Sequence, residues 1–293
     1  MRLVLKMICA ATVSIAAAGA EVGAQSPSTD RGKYIFDAAG CLACHTEEGG
    51  APMAGGPALK TPFGVFYAPN ITPDPEFGIG QWSNADFIRA LREGVSPSGQ
   101  HYYPVFPYPA YTKMTTQDLT DLRAYLATVP PSKKPSRAHE LNFPYSIRAS
   151  LIPWKWLNFE AGEYKADASR DAQWNRGAYL VQALTHCGEC HTPRDMLGGL
   201  ERKQWLSGAR MPVGDLVASN LTPDKTGLAD WSAADIVDAL ETGTLPEGGT
   251  FSGEMGEVVR NSTGKMRDED REAIAAYLKA LPPLPTTVTK KVK

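Results

Sequence analysis

Several absences narrow what this chain can be. Neither sign of charge predominates: 30 Lys and Arg stand against 32 Asp and Glu, a formal net charge of −2, which argues against nucleic acid as the main partner. No apolar run is long enough to cross a bilayer, the most hydrophobic stretch being "MICAATVSIAAAGA" near the N-terminus. Strand-like alternation is hard to find, and no Ser/His/Asp set or acid–base pair stands out. Cysteine is scarce too, five in 293 residues, and where those five fall decides the reading.

The N-terminal apolar stretch follows Arg2 and Lys6 and ends in small residues, with cleavage expected after Ala20 or Ala24. That is the pattern of a secretory signal peptide over residues 1–24. It predicts export, hence a periplasmic protein with no transmembrane helix after the signal is removed. Cys9 lies in the apolar stretch and is expected to leave with it.

The other four cysteines form one pattern used twice: "CLACH", with Cys41, Cys44 and His45, and "CGECH", with Cys187, Cys190 and His191. Cys-x-x-Cys followed at once by His is the haem-attachment signature. On a helix, positions i and i+3 share a face, so both thiols reach one edge of a porphyrin while the next residue ligates the iron. A zinc ribbon needs its pairs some 15–20 residues apart and four ligands; these pairs start at 41 and 187. A thioredoxin-like pair needs a βαβ setting. Free Cys-x-x-Cys pairs in an exported chain would tend to form disulfides. Two signatures that together consume every remaining cysteine predict two covalently bound haem c groups.

The two signatures head a longer duplication. "RGKYIFDAAGCLACHT" echoes "RGAYLVQALTHCGECHT", "NITPDPEFGIGQWSNADFIRAL" echoes "NLTPDKTGLADWSAADIVDAL", and "KMTTQDLTDLRAYLATVPP" echoes "KMRDEDREAIAAYLKALPP". Capping boxes at Ser83/Asp86 and Ser232/Asp235 precede apolar helical faces; Leu119, Leu122, Tyr125 and Leu126 line one face of a closing helix, as Ile274, Tyr277, Leu278 and Leu281 do in its copy. The expected architecture is all-α: two tandem domains at 26–131 and 170–285, an apolar linker at 132–169 and a polar tail at 286–293. Leu151, Ile152, Trp154, Trp156, Leu157 and Phe159 in the linker are expected to pack across the two domains, with a docking surface as the alternative.

Methionine opposite histidine is the usual second axial ligand of an electron-transfer haem. Met53 and Met196 follow their histidines too closely. Met114 qualifies in the first domain, with His101 as an alternative; Met255 and Met266 both qualify in the second, and the repeat pairs Met266 with Met114. Pro57, in "GGPAL", is a candidate to offer its carbonyl to the proximal ring. Asn70, Asn220, Trp82 and Trp231 recur and are candidates for haem propionates or for ordinary turn and core roles.

Three segments, "NITPDPEFGIGQWSNADFIRALREGVSPSGQHYYPVFPYPAYTKMTTQDL", "HELNFPYSIRASLIPWKWLNF" and "SGEMGEVVRNST", resemble the cytochrome c subunits of membrane-bound alcohol and gluconate dehydrogenases. The resemblance implies two class I cytochrome c-type domains and a periplasmic electron carrier without an active site of its own. It also implies a dehydrogenase as donor and a terminal oxidase, quinone or another cytochrome as acceptor, with membrane association through a partner. It supports Met114 at the first haem and favours Met255 over Met266 at the second. Those subunits carry three haems and a membrane-associating C-terminus, whereas this chain has two signatures and ends in "TTVTKKVK", which weakens the expectation of quinone reduction. A dihaem peroxidase or a thiosulfate dehydrogenase is the enzymatic alternative.

Overall fold

A computed structural model describes residues 26–211 and 216–288; the expected signal peptide and positions 289–293 of the tail lie outside them. The first half runs through α1 (Thr29–Ala38), α2 (Cys41–His45), α3 (Asn84–Glu93), α4 (Tyr108–Tyr111) and α5 (Thr116–Leu126). After α6 (Leu151–Asn158) in the intervening segment, the second half repeats the plan. It comprises α7 (Ala172–Tyr179), which runs into a π-helical turn at Leu180–Leu184, then α8 (Gly188–His191), α9 (Ala233–Thr242), α10 (Gly253–Asn261) and α11 (Asp268–Lys279). Both capping boxes form, Ser83 with Asp86 and Ser232 with Asp235, each satisfying two otherwise orphaned amides at a helix start.

In each half the first helix crosses the last at backbone contact. A Cβ on Gly32 would lie 2.0 Å from the Asp121 carbonyl oxygen, and one on Gly177 would lie 1.9 Å from that of Ala273. Only glycine allows this approach, which is why "RG" recurs. The apolar faces of the closing helices, Leu119, Leu122 and Leu126 in one and Ile274, Tyr277 and Leu278 in the other, are buried in a single core that spans both halves.

The all-helical expectation needs correction. Strands β1 (Ala58–Thr61), β2 (Gly64–Tyr67) and β3 (Glu140–Leu141) form an antiparallel sheet in that order, and β4 (Ala209–Arg210) pairs with β5 (Val217–Ala218). Strands of two to four residues are too short to show a period of two. Because β3 pairs Gly64 with Leu141 and Val65 with Glu140, the intervening segment is stitched onto the first half rather than strung freely.

The same segment answers the linker question residue by residue. Leu151 is buried with Phe66 and Tyr103, Phe159 stands edge-on to Tyr108 at 5.0 Å, and Trp154 donates its indole N–H to Leu197 O of the second half at 2.8 Å. Lys155 is buried, its ammonium donating to Glu93 O and Gly94 O at 2.6 and 2.9 Å, so it caps the C-terminal end of α3. Burial pushes its pKa down to about 8. Phe143 (81% exposed), Trp156 (81%) and Leu157 (73%) instead face solvent.

The halves meet through reciprocal contacts. Tyr34 of the first donates its hydroxyl to Asp270 of the second, and Tyr179 of the second donates to Asp118 of the first. Ser262 Oγ of the second reaches Ala38 O of the first at 2.7 Å, and His186 Nε2 lies 3.4 Å from Ala39 O.

Candidate haem-attachment sites

On α2 the helical turn brings Cys41 and Cys44 to one side, and the ring of His45 follows. Burial raises both thiols, Cys41 to about 12 with help from Cys44, and Cys44 with help from Glu254. Burial likewise raises Cys187 and, aided by Glu189, Cys190 to about 12. None of the four is joined in a disulfide. Among the described residues no cluster of His, Cys, Asp and Glu is arranged as a closed metal site, so the zinc reading finds no support in the donor set.

The two imidazoles are held alike. His45 Nδ1 lies 2.8 Å from Pro69 O, and His191 Nδ1 lies 2.7 Å from Ser219 O. A carbonyl only accepts, so Nδ1 carries the proton and Nε2 keeps its lone pair. Burial lowers both pKa values, against the opposing carbonyl bonds, and keeps the rings neutral. A neutral imidazole oriented through Nδ1 is what iron ligation requires. The carbonyl role expected for Pro57 therefore belongs to Pro69, and the second half has its counterpart in Ser219.

Both carbonyls immediately precede the recurring asparagines, whose role is now visible. Asn70 Nδ2 donates to Ser132 O and Lys134 O at 2.8 and 2.9 Å, while its Oδ1 accepts from Thr72 N and Oγ1 at 2.9 and 2.7 Å. Asn220 does the same with Leu284 O at 2.7 Å, Thr226 Oγ1 at 2.9 Å and Thr222 N and Oγ1, both at 2.8 Å. Each Asn-x-Thr loop is thus pinned to the chain beyond the closing helix, with its amide fully engaged rather than turned to a propionate. The recurrence of Asn-x-Thr-Pro-Asp, and of Pro-Pro after each closing helix, was the signal available in the sequence.

The remaining histidines are accounted for differently. His139 Nδ1 accepts from Tyr67 N at 3.3 Å. His186, at φ +39°, stands edge-on to Tyr111 at 5.5 Å. His101 has a buried Nδ1 without a partner, and burial with the nearby Lys155 charge lowers its pKa. Met53 is in the core and Met196 is exposed.

Two hydrogen-bonded registers place the methionines. Bridges Val95–His101 and Thr244–Thr250 coincide between the halves, as do the bonds Tyr102 N to Gly94 O and Phe251 N to Gly243 O, each 2.8 Å. Counting on from these pairs sets Phe106 against Met255. Counting back from the closing helices sets Met114 against Met266, and both of these are carbonyl partners of an arginine, Arg92 at 3.1 Å and Arg271 at 2.5 Å. The expected ligands Met114 and Met255 therefore occupy non-equivalent places.

The attachment segments are neighbours. Helix α10 packs against α2, α4 packs against the turn that leads to Cys187, and His186 Nε2 lies 3.4 Å from Ala39 O.

The cytochrome c family model matches residues 29–130 and 175–282. This chain belongs to the cytochrome c family. It is 46% identical over 259 residues to a diheme cytochrome c-type protein of Cereibacter sphaeroides, covering 86% of this chain and 85% of that one. It is 41% identical to the fructose dehydrogenase cytochrome subunit of Gluconobacter japonicus (88% of this chain, 54% of that one) and 38% identical to the gluconate 2-dehydrogenase cytochrome c subunit of Pantoea cypripedii (92% and 63%). The cytochrome thus spans roughly half to two thirds of those two dehydrogenase components. With the family matched twice, it binds two covalent haem c groups, and its kinship is with electron-transfer rather than catalytic subunits. Among the described residues no helix is long and apolar enough to cross a membrane.

Proposed function

We propose that this cytochrome takes electrons from a dehydrogenase on the periplasmic side and relays them through two haems to a respiratory acceptor. Cys41 and Cys44 hold the first haem with His45 as proximal ligand; Cys187, Cys190 and His191 hold the second, with Met255 on its distal side. Haem supplies the one-electron iron chemistry; the protein supplies orientation, polarity and access. The observation that carries the reading is the doubled imidazole–carbonyl geometry, 2.8 and 2.7 Å, in attachment segments that adjoin across the interface. Pro69 and Ser219 fix ring orientation and leave each Nε2 to its iron. Adjacency of the attachment segments gives electrons a short path between centres.

The dehydrogenase docks on the exposed face of the intervening segment. Phe143, Trp156 and Leu157, with Tyr145, Ile147 and Ile152, all stand exposed there. Large aromatic side chains bury roughly 150–250 Å² each, so this face approaches the ~800 Å² that one partner contributes to a standard interface. The dehydrogenase is favoured as occupant because "HELNFPYSIRASLIPWKWLNF" is among the segments that resemble dehydrogenase cytochromes.

The test mixes a reduced dehydrogenase encoded beside this chain with the oxidised cytochrome and follows haem reduction by stopped flow. Reduction faster than the dehydrogenase's own turnover supports the relay. Failure to reduce either haem overturns it.

A further inference from the structure

The residue just before the first cysteine of each attachment motif has left-handed backbone, Gly40 at φ +61° and His186 at φ +39°. Glycine adopts this conformation freely, whereas a side chain there carries strain. The second half nevertheless places an imidazole at that position. It also has one residue more between Gly177 and Cys187 than the first half has between Gly32 and Cys41, and a π-helical turn, Leu180–Leu184, lies within that stretch. Such turns concentrate at functional sites.

What the strained residue reaches lies in the other half. His186 Nε2 is 3.4 Å from Ala39 O, and since a carbonyl only accepts, Nε2 carries the proton. Tyr111 brings its hydroxyl to the same carbonyl at 3.2 Å, and its ring stands edge-on to the imidazole, the centroids 5.5 Å apart and the planes at 78°. The bond from Nε2 is long, so the contact with Tyr111 shares in holding the ring. Ala39 caps the end of α1 and only Gly40 separates it from Cys41, while His186 adjoins Cys187 itself. One imidazole thus joins the two attachment segments. The interface bonds of Tyr34 with Asp270 and of Tyr179 with Asp118 end on neither segment.

We propose that His186 is the positioning residue for electron transfer between the two haems, its ring holding the segment that attaches one against the segment that attaches the other. The step moves a single electron, one iron passing from ferrous to ferric as the other passes from ferric to ferrous, and it takes no proton from His186. Rates between fixed partners depend steeply on their separation, so loosening this contact slows the step. The strain at His186 is the cost of placing a ring where the first half keeps glycine.

The inference rests on the relay reading for two haems that exchange electrons, and it is tested without any dehydrogenase, so failure of the donor reaction and failure of this proposal are separate results. The half-reduced cytochrome is observed by proton NMR at a dilution that suppresses exchange between molecules, and electron exchange between the haems is read from broadening of the haem-methyl resonances. His186→Asn keeps a residue that tolerates positive φ but is too short to reach Ala39 O. It should slow the exchange severalfold, leave two haems per chain in the pyridine haemochrome assay, and quicken amide hydrogen exchange over residues 39–44. His186→Gly, which relieves the backbone strain and therefore spares the fold, should slow the exchange as much. Tyr34→Phe removes an interface bond that ends on neither attachment segment; it should lower the urea midpoint and leave exchange between the haems at the wild-type rate. A wild-type rate in either His186 variant, or equal slowing in Tyr34→Phe, overturns the proposal.

Discussion

The two halves of this cytochrome secure the same helix crossing with different wiring. In the first, Arg31 pairs with Asp121 at 2.8 Å, and that carboxylate also takes Ser28 N at 2.7 Å and Gln117 Nε2 at 3.1 Å, all from its own half. In the second, Arg176 grips Asp270 through two bonds of 2.7 Å, and the same carboxylate takes the Tyr34 hydroxyl from the first half. The reciprocal Tyr179 bond ends on Asp118, which among the described residues has no arginine bound to it. The first half therefore separates its internal closure from docking, while the second uses one carboxylate for both. Duplication supplied two equal frames, and the interface draws unequally on them.

The largest effect should come from the crossing itself. Gly177→Leu and Gly32→Leu each drive a side chain into backbone, where even a Cβ would stand 1.9 and 2.0 Å from a carbonyl oxygen, and should cost more than about 4 kcal/mol. The haem-to-protein ratio is expected to fall below two and cooperative unfolding to be lost. A variant that folds with both haems would show that the crossing is not the organising contact.

Next comes the shared carboxylate. Asp270→Asn leaves Arg176 and Tyr34 without their charged acceptor and should destabilise the protein by about 1.5–3 kcal/mol, read from the urea midpoint. Asp118→Asn removes one hydroxyl bond and should cost about 0.5–1.5 kcal/mol. Equal losses would erase the proposed asymmetry. The pH dependence sharpens it. Burial raises the pKa of Asp270, but the bonds from Arg176 and Tyr34 outweigh this and hold it below its ordinary value. Its contribution is complete above the ordinary carboxylate pKa of about 3.9 and is lost as pH falls through the depressed folded value. Stability of Asp270→Asn should accordingly fall less steeply on acidification than that of the wild type.

Smaller still is the loop that aims each imidazole. Asn70→Ala and Asn220→Ala should each cost on the order of 1 kcal/mol and shift the reduction potential of their own haem alone, seen by spectroelectrochemical titration. Both potentials moving together would mean that the loops act through the interface. Smallest in stability is Trp156→Ala, within about 0.5 kcal/mol of wild type because the side chain is exposed; its effect should appear as slower reduction by the partner dehydrogenase.

Legibility in the sequence tracked how local each device is. The capping boxes, the closing-helix faces and the two attachment signatures were readable because each depends on spacings within one helix. The strands escaped because pairs such as Ala209–Arg210 with Val217–Ala218 have no periodicity to display. Pro57 was the wrong carbonyl because a ring can find its acceptor anywhere the chain returns, here 24 residues on at Pro69 and 28 on at Ser219. The apolar linker misled in part, since hydrophobicity says that Trp156 and Leu151 are alike, whereas one is exposed and the other buried.

By itself, then, the sequence determined how many haems the chain carries and that one helical plan occurs twice. Those follow from i, i+3 spacing and from identity at repeated positions, properties that exist before the chain folds. The tertiary structure alone decided which carbonyl orients each imidazole, which carboxylate carries two duties, and that Phe106 aligns with Met255. Each of these is a contact between segments distant along the chain, set by how the two halves pack, and no local pattern encodes it.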